Sequence, residues 1–552
     1  MLKVFDENKK LLHKWEILSS YDAVEFIVHK SDILHIHKDE SGITMLYGFL
    51  DIDYGDNAAK FINNIINKGI NGLNSCYGSF VLFHYDSTTQ KILLTNDALG
   101  DFAAHYHKKN GLLQISDLPN LLLTPENNQT RKDRIVHYFA ISKPLDNAAF
   151  FEEIKQVNPG QYIIFTGNDT SNDFYYKPPD EVDYKHASVE ELSNQFKELM
   201  QQAIRFQTQG HERLGVMLSG GMDSTFVAAN GLKTGKKINT YSYVFPKTPD
   251  ANESIWIDSL RSLGFDMNTF AGEAYWALKA PVYCSINSPV NNQYRPLKDV
   301  IYQKAESEGV KMLLTGVFAD HLYTGYIYWL VDQAKNNPFV AIKSLYQTMR
   351  NHGIKTALRQ VSPRKWSHKI RRTAPWLNKN TNDRFSEINQ ININYKHPHP
   401  QQFALVYGLS TAQFSWLDHE HGYRHNLYVR HPFRDRRVVE FLMSLPAWIL
   451  GTIDQPKKLV RFASRNLLPD TIIRRKTPTT LLPIMSKGLL DKEFDKVKQI
   501  LINENSSWQN YIQEEIIHRI INNPKAVNEE IDFVILWQCL SYEMWKTRIR
   551  SL

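Results

Sequence analysis

Apolar and polar positions divide the chain into a strand-rich first third, a middle in which strands alternate with helices, and a mostly helical remainder. In the first third, Gly78–Asp86 and Lys91–Asp97 are short apolar runs with period-two interruptions, which predict two adjacent strands. Asn158-Pro159-Gly160 reads as a turn feeding the strand Gln161–Phe165. A polar stretch, Thr166–Asp173, then runs through Lys177-Pro178-Pro179 toward a helix that begins near Ser188-Val189-Glu190-Glu191-Leu192. Serine followed three residues later by glutamate is a helix-start signature, so a domain boundary is expected near residue 185. Beyond it, the strands Leu214–Leu218, Asn239–Phe245 and Val310–Leu314 alternate with helices at Phe226–Asn230 and from about Glu253 to Leu263. That alternation predicts a parallel sheet wrapped by helices, with its ligand at the carboxyl ends of the strands. From about Asp332 onward the pattern is helical apart from the polar segment Asn378 to Pro400, and no internal repeat is visible.

Composition narrows the class. At 552 residues, 42% hydrophobic and 22% charged, the chain can bury more than one core. Its apolar stretches are too short and too often broken by charge to span a bilayer, and Met1-Leu2-Lys3-Val4-Phe5-Asp6 lacks a signal-peptide core, so a cytoplasmic protein without a membrane partner is expected. Cys76, Cys284 and Cys539 are too far apart for a disulfide framework or a zinc site and read as core thiols; their spacing offers no support for a tRNA-thiolation or other nucleic-acid role. The net charge of +7 is not gathered into one block, and its densest patch, Arg364, Lys365, Lys369, Arg371 and Arg372, reads as a solvated face.

The candidate chemistry sits in Leu218-Ser219-Gly220-Gly221-Met222-Asp223-Ser224-Thr225. A strand that ends in a glycine- and serine-rich turn and reopens as a helix presents backbone N–H groups to an anion. Gly220 and Gly221 admit close approach of a phosphate, Ser219, Ser224 and Thr225 add hydroxyls, and Asp223 is placed to hold Mg²⁺. No lysine follows the glycines as in a Walker A loop, and the pattern is not a Gly-x-Gly-x-x-Gly fingerprint.

This loop resembles the Ser-Gly-Gly-x-Asp-Ser loop of the ATP pyrophosphatases, and further segments follow in the order found in the asparagine synthetase family. Tyr77–Asp86 and Pro159–Tyr162 resemble strands of that family's glutaminase domain. Leu314-Thr315-Gly316-Val317-Phe318-Ala319-Asp320-His321 resembles the second nucleotide loop, whose aspartate is the other Mg²⁺ ligand. His431–Phe441, Lys458–Arg461 and Arg474-Arg475-Lys476-Thr477-Pro478 resemble the closing segments. The resemblance implies an α/β protein of two domains. Residues 1–185 would form a degenerate glutaminase-like sandwich of the N-terminal nucleophile hydrolase type. Residues 186–552 would form a doubly wound parallel sheet of the adenine-nucleotide α-hydrolase type with a helical end.

It also implies the site. ATP and Mg²⁺ are the expected cofactors, with Leu218, Ser219, Gly220, Gly221, Asp223, Ser224, Val244 and Gly316 around the nucleotide and Asp223 and Asp320 on the metal. Phe245 is an alternative to Val244, and Glu253 is either an acidic group of the site or a helix-start carboxylate. Lys476 is the expected catalytic cation, with Lys458 and Arg461 in support, and His321 is the candidate proton acceptor because histidine ordinarily titrates near neutrality.

Two departures direct the functional expectation. Glutamine-dependent relatives begin, after loss of methionine, with a cysteine nucleophile, whereas position 2 here is Leu2. The β-lactam-forming relatives carry a tyrosine where Val317 stands, and valine relays no proton. The pattern is similar to the glutaminase-inactive branch that includes β-lactam synthetase and the lasso peptide macrolactam cyclases. The leading expectation is therefore an AMP-forming amide ligase that closes an internal amide in a peptide, working beside a leader peptidase. The alternatives are an intermolecular ligase acting on a small metabolite or glycan, and a nucleotide-binding regulatory protein without chemistry. Tyr326, Tyr328, Trp329, Phe414 and Trp416 read as core or as the lining of a peptide-sized pocket.

Overall fold

The computed structural model describes the chain except residues 18, 20, 53–56, 143–148, 168, 179–186, 280–283, 324–333, 335–336, 361–373, 389–399, 452–454, 476–478, 504, 525–526, 528–529 and 551–552, and except the side chains of a few further helical residues. Two six-stranded sheets built from the first third of the chain face one another. The first runs Lys155–Gln156, His105–Lys109, Leu112–Ser116, Ala23–Val28, Leu2–Asp6, Leu11–Trp15. The second runs Asp169–Phe174, Gln161–Thr166, Ile92–Asn96, Gly78–Asp86, Gly42–Leu50, Leu34–Asp39.

The two strands read from the sequence pair antiparallel, Val81 opposite Asn96 through Tyr85 opposite Ile92. Their period-two pattern suggests one solvated face, yet Ser79–Tyr85 is buried on both. One side meets the facing sheet, where Phe83 packs on Phe26 at 6.0 Å, and the other lies in a cluster with the helix Ala58–Ile66. The turn before Gln161 closes on Gly160, whose φ of +66° is a left-handed value that glycine adopts without steric cost.

After the expected capping box at Ser188 and Glu191, the helix Val189–Gln207 buries Leu192, Phe196, Met200, Ala203 and Ile204 as one stripe. Phe196 stacks on Phe226 of the helix Met222–Leu232 at 5.2 Å, fixing that helix beneath the third sheet. The third sheet is wholly parallel, in the order Asp266–Ala271, Lys237–Val244, Arg213–Met217, Met312–Leu314, Tyr428–Arg430. Strand order therefore reverses between Arg213–Met217 and Met312–Leu314, and the crevice beyond their carboxyl ends is where such sheets take ligands. Tyr428–Arg430 was not expected, since three residues inside a helical stretch are too short to show a period. The expected helix from Glu253 to Leu263 is instead a turn and a half, Ser254–Asp258, and a 3₁₀ turn, Arg261–Leu263.

The remainder is helical and packs back on the first third. The helix Lys132–Ile141 meets the last helix, Glu530–Ile549, where the Tyr138 hydroxyl donates to the Gln538 carbonyl at 3.0 Å; separately, Trp376 Nε1 donates to the Phe139 carbonyl at 2.8 Å. Among the described residues no helix is long and apolar enough to cross a membrane.

Candidate active site

The two loops read from the sequence leave neighbouring strands at the reversal point and touch. Gly316 makes this contact possible: a Cβ there would lie 2.6 Å from the Ser224 backbone nitrogen and 2.9 Å from Ser224 Cα. Any side chain would push the second loop off the first. Within the first loop, Gly221 N–H donates to Ser219 Oγ at 3.1 Å, Ser219 N–H donates to Ser224 Oγ at 3.0 Å, and the two hydroxyls lie 2.9 Å apart. Ser219 and Ser224 therefore hold the shape of the turn. Thr225 is buried and donates to the Gly221 carbonyl at 2.8 Å, so its hydroxyl faces back into the helix.

The N–H of Gly220 donates to Glu253 Oε2 at 3.1 Å, so this donor already holds a carboxylate. Glu253 Oε1 lies 2.8 Å from Arg475 Nη1, and the Arg475 guanidinium stacks 3.8 Å from the Trp256 ring. Glu253 thus belongs to the site and is more than a helix-start charge. Arg475 enters beside it; sequence drew attention only to its neighbour Lys476, which lies outside the described residues.

In the second loop the Thr315 hydroxyl lies 2.7 Å from His431 Nδ1 and accepts the Val317 N–H at 3.2 Å. Phe318 then adopts φ of +73°, a left-handed value that costs a bulky residue on the order of 1 kcal/mol or more. Packing holds it there: its ring is buried edge-on to His431 at 4.9 Å, with the Arg434 guanidinium at 5.2 Å. A phenylalanine here takes a left-handed conformation that glycine adopts at no steric cost.

Asp223, on the first turn of Met222–Leu232, and Asp320, on Ala319–Tyr323, converge on one cation. Lys457 Nζ lies 2.5 Å from Asp223 Oδ2 and 2.7 Å from Asp320 Oδ1. Lys457 adopts a left-handed conformation, φ 56° and ψ 39°, just before the helix Lys458–Ala463. Arg461, on that helix, donates to the Pro456 carbonyl at 2.8 Å and the Arg475 carbonyl at 2.7 Å, joining this turn to the Glu253 partner. The expected supporting lysine was Lys458; the one that reaches the carboxylates is Lys457. Burial lowers the Lys457 pKa, but the facing Asp223 and Asp320 carboxylates outweigh it and hold it above its ordinary value.

Burial pushes the Asp223 pKa up to about 6, with Lys457 pulling it down and Asp320 pushing it up. Its Oδ1 is buried without a hydrogen-bond partner. Two carboxylates that already share a positive charge, one with an unused buried oxygen, fit a hard divalent cation such as Mg²⁺. The sign of the pH effect follows. Below about 6, Asp223 takes up a proton and the site loses a negative charge, so affinity for a metal-bound nucleotide should fall as pH drops from 7 to 5. Titration calorimetry with Mg²⁺ and a non-hydrolysable ATP analogue would measure it; an affinity flat across that range would contradict the assignment.

The other expected residues are distributed as follows. Leu218 is core, its N–H donating to the Tyr241 carbonyl at 2.9 Å. Val244 ends its strand half-buried, whereas Phe245 is buried over Gly272, where a Cβ would meet its ring at 2.1 Å. His321 follows Asp320 on the same short helix, its ring 5.7 Å from that of Phe318. Val317 is 41% exposed at the crevice. Trp416 is core against His105, at 5.7 Å, and Phe414 is exposed; Tyr326, Tyr328 and Trp329 lie outside the described residues. The three cysteines are buried and unpaired. Burial pushes the Cys76 thiol up to about 11 and Cys284 up to about 12, and raises Cys539 well above its ordinary value.

One further titratable cluster, Asp299 with His421 and His425, lies off the crevice. Asp299 Oδ1 is 2.6 Å from His421 Nε2 and 3.0 Å from His425 Nε2. Burial, with Arg295 next, drives the His421 pKa down to about 3, so a neutral imidazole is tied to a carboxylate and the helices Arg295–Ser307 and Leu409–Tyr423 are clamped together.

The profile of the asparagine synthase family matches residues 195–547, and that of the glutamine amidotransferase domain matches residues 59–176. The chain is similar to amidase chyE of Penicillium rubens, 22% identical over 325 residues, which covers 53% of this chain and 46% of that protein. It is similar to amidase chry2 of Gibberella zeae, 24% identical over 285 residues, covering 47% of this chain and 41% of that one. Glutamine-hydrolyzing asparagine synthetase 1 of Bacillus subtilis is 19% identical over 498 residues, covering 85% of this chain and 77% of the relative. The chain thus matches less than half the length of the two amidases.

Proposed function

The chain belongs to the asparagine synthase family, and we propose that it is an ATP-dependent, AMP-forming amide ligase. The observation that supports this most directly is the meeting of Asp223 and Asp320 on one cation at the reversal point of the parallel sheet. A carboxylate is a poor electrophile. Attack of its oxygen on the α-phosphorus of ATP breaks the bond to the β-phosphate, giving an acyl-adenylate and pyrophosphate. An amine then attacks the acyl carbon, loses a proton, and displaces AMP.

The chain's own groups divide this work. Gly220 and Gly221 admit the phosphates, and the Gly220 N–H and Arg475, which share Glu253, stand ready to pair with an anion once Glu253 yields them. Fixed cations that face the negative charge building on phosphorus and on the tetrahedral oxyanion stabilise both. Lys476, next to Arg475, is assigned that role by resemblance. A Mg²⁺ ion held by Asp223 and Asp320 would neutralise the phosphates. His321, one residue past Asp320, is proposed to take the amine proton, since Val317 offers no titrating group.

The first third is proposed to be a docking module without glutaminase chemistry. The glutaminase chemistry of such a domain uses a cysteine thiolate, and burial pushes the thiol of Cys76, the first third's one cysteine, up to about 11. The amine must then come from the substrate or from solution. Closure of an internal amide in a peptide, as in lasso peptide macrolactam formation, is the reaction proposed, with the peptide supplying carboxylate and amine together and a leader peptidase preceding this step.

ATP–pyrophosphate exchange with the purified protein tests this. It is offered small acids and any precursor-like peptide encoded beside its gene, with Asp223→Ala as control. Peptide-dependent exchange that the substitution removes is the expected result. Exchange with a small acid alone would make it an intermolecular ligase, and none under any condition would leave only nucleotide binding.

A further inference from the structure

The helix Pro338–His352 is built inside out. Its buried positions are Ala341, Ser344 and Thr348, whereas Phe339 is 82% exposed, Ile342 and Tyr346 64% each, and Met349 39%. Those four recur at intervals of three and four residues and so form one stripe, opposite the small residues that face the protein. The next helix, Ile354–Gln360, repeats the arrangement, with Ala357 buried and Ile354 and Leu358 more than 60% exposed. Six of the fourteen large hydrophobic side chains that are exposed among the described residues therefore fall within 20 residues of sequence. Scattered exposed apolar residues need no explanation, but a contiguous stripe does.

Charge identifies what covers it. From residue 333 to 382 the sequence carries eleven lysines and arginines and no aspartate or glutamate, more than the whole chain's net +7. Lys343, Arg350 and Lys355 are exposed alongside the stripe. Sequence alone favoured a solvated face for the basic residues that follow, and a solvated face has no use for Phe339 or Ile342.

An apolar stripe flanked only by cations is the pattern of a helix that lies in the headgroup plane of an anionic bilayer, apolar side down and long cationic side chains reaching the phosphates. An acidic protein surface would satisfy the cations but not six aliphatic and aromatic side chains in a row, and nucleic acid would leave the aliphatic ones in water. We propose that Pro338–Gln360 is a peripheral anchor that docks this protein on an anionic lipid surface. The expectation of a protein without a membrane partner rested on the lack of a spanning segment, and an anchor of this kind needs none.

Co-sedimentation of the full chain with lipid vesicles tests this. Wild type should bind vesicles that are one-third phosphatidylglycerol at least about tenfold more strongly than pure phosphatidylcholine vesicles, and lose most of the difference on going from about 0.1 M to about 0.5 M salt. The combined variant Phe339→Ser, Ile342→Ser, Tyr346→Ser should lose binding to the anionic vesicles with its melting temperature unchanged, since all three side chains face solvent. Single Phe339→Ser should show a partial loss, which guards against misfolding of the triple variant. No preference for the anionic vesicles, or a preference the triple variant keeps, would overturn the proposal. So would binding to polyglutamate alone, or a dimer in light scattering that the triple variant dissolves, since either would assign the stripe to a protein partner.

Discussion

Asp223→Asn should cut ATP–pyrophosphate exchange by about a thousandfold or more while leaving the protein folded. Asparagine keeps the shape of the side chain and removes its charge. The lost charge is the one with least competition for a cation, because Asp223 Oδ1 is buried without a partner while Oδ2 holds Lys457. Asp320→Asn should behave similarly, and the double variant should be little worse than either single one, because both residues serve one cation and their effects do not add. Stability should not fall with activity. Burial already pushes Asp223 toward its protonated form, so a neutral isostere removes a desolvated charge from the fold. Exchange measured at saturating ATP while Mg²⁺ is titrated separates the possibilities. A variant that regains full exchange at high Mg²⁺ has lost metal affinity alone, and one that keeps exchange within tenfold at low Mg²⁺ would remove Asp223 from the metal site.

Much of this arrangement is legible in the sequence, for reasons that differ by residue. Ser219, Gly220, Gly221 and Asp223 fall within five residues, and a strand, a glycine turn and a helix in succession fix where the backbone donors point. Gly316 was legible as a loop glycine, but its reason, the 2.6 Å approach of the Ser224 nitrogen, depends on two strands about 100 residues apart becoming neighbours. Lys457 was overlooked because it adjoins Lys458, and only the left-handed turn at Lys457 decides which of the pair reaches Asp223. Arg475 was hidden in a basic run where nothing local distinguishes a stacked arginine from a surface one. At the level of fold, strands with flanking turn residues were found, whereas Tyr428–Arg430 was not, because its parallel partner Met312–Leu314 lies more than 100 residues upstream.

The same distance effect concealed one contact that joins the two parts of the chain, and it carries the largest expected loss of stability: Arg434→Met should cost about 3–5 kcal/mol. The Arg434 guanidinium, 2% exposed, donates to Asp101 Oδ1 and to the Leu99 carbonyl, both in the first third of the chain, and reaches the Val406 carbonyl at 3.4 Å. Asp101 also accepts from Ser79 and from Ser415, each at 3.0 Å, so the pair is hydrogen-bonded on every side. Methionine fills similar volume but leaves Asp101 buried without its cation, which is the costly half of breaking such a pair. Asp101→Asn with Arg434→Met should recover part of the loss, because the orphaned charge is then gone. A thermal-melt comparison of the four proteins gives the coupling, and additive losses would show the pair to be energetically idle. The variant should also weaken nucleotide binding, because Arg434 lies over the Phe318 ring and helps hold that residue left-handed in the second loop. The first third of the chain thereby supplies the anion that neutralises an arginine beneath the second loop.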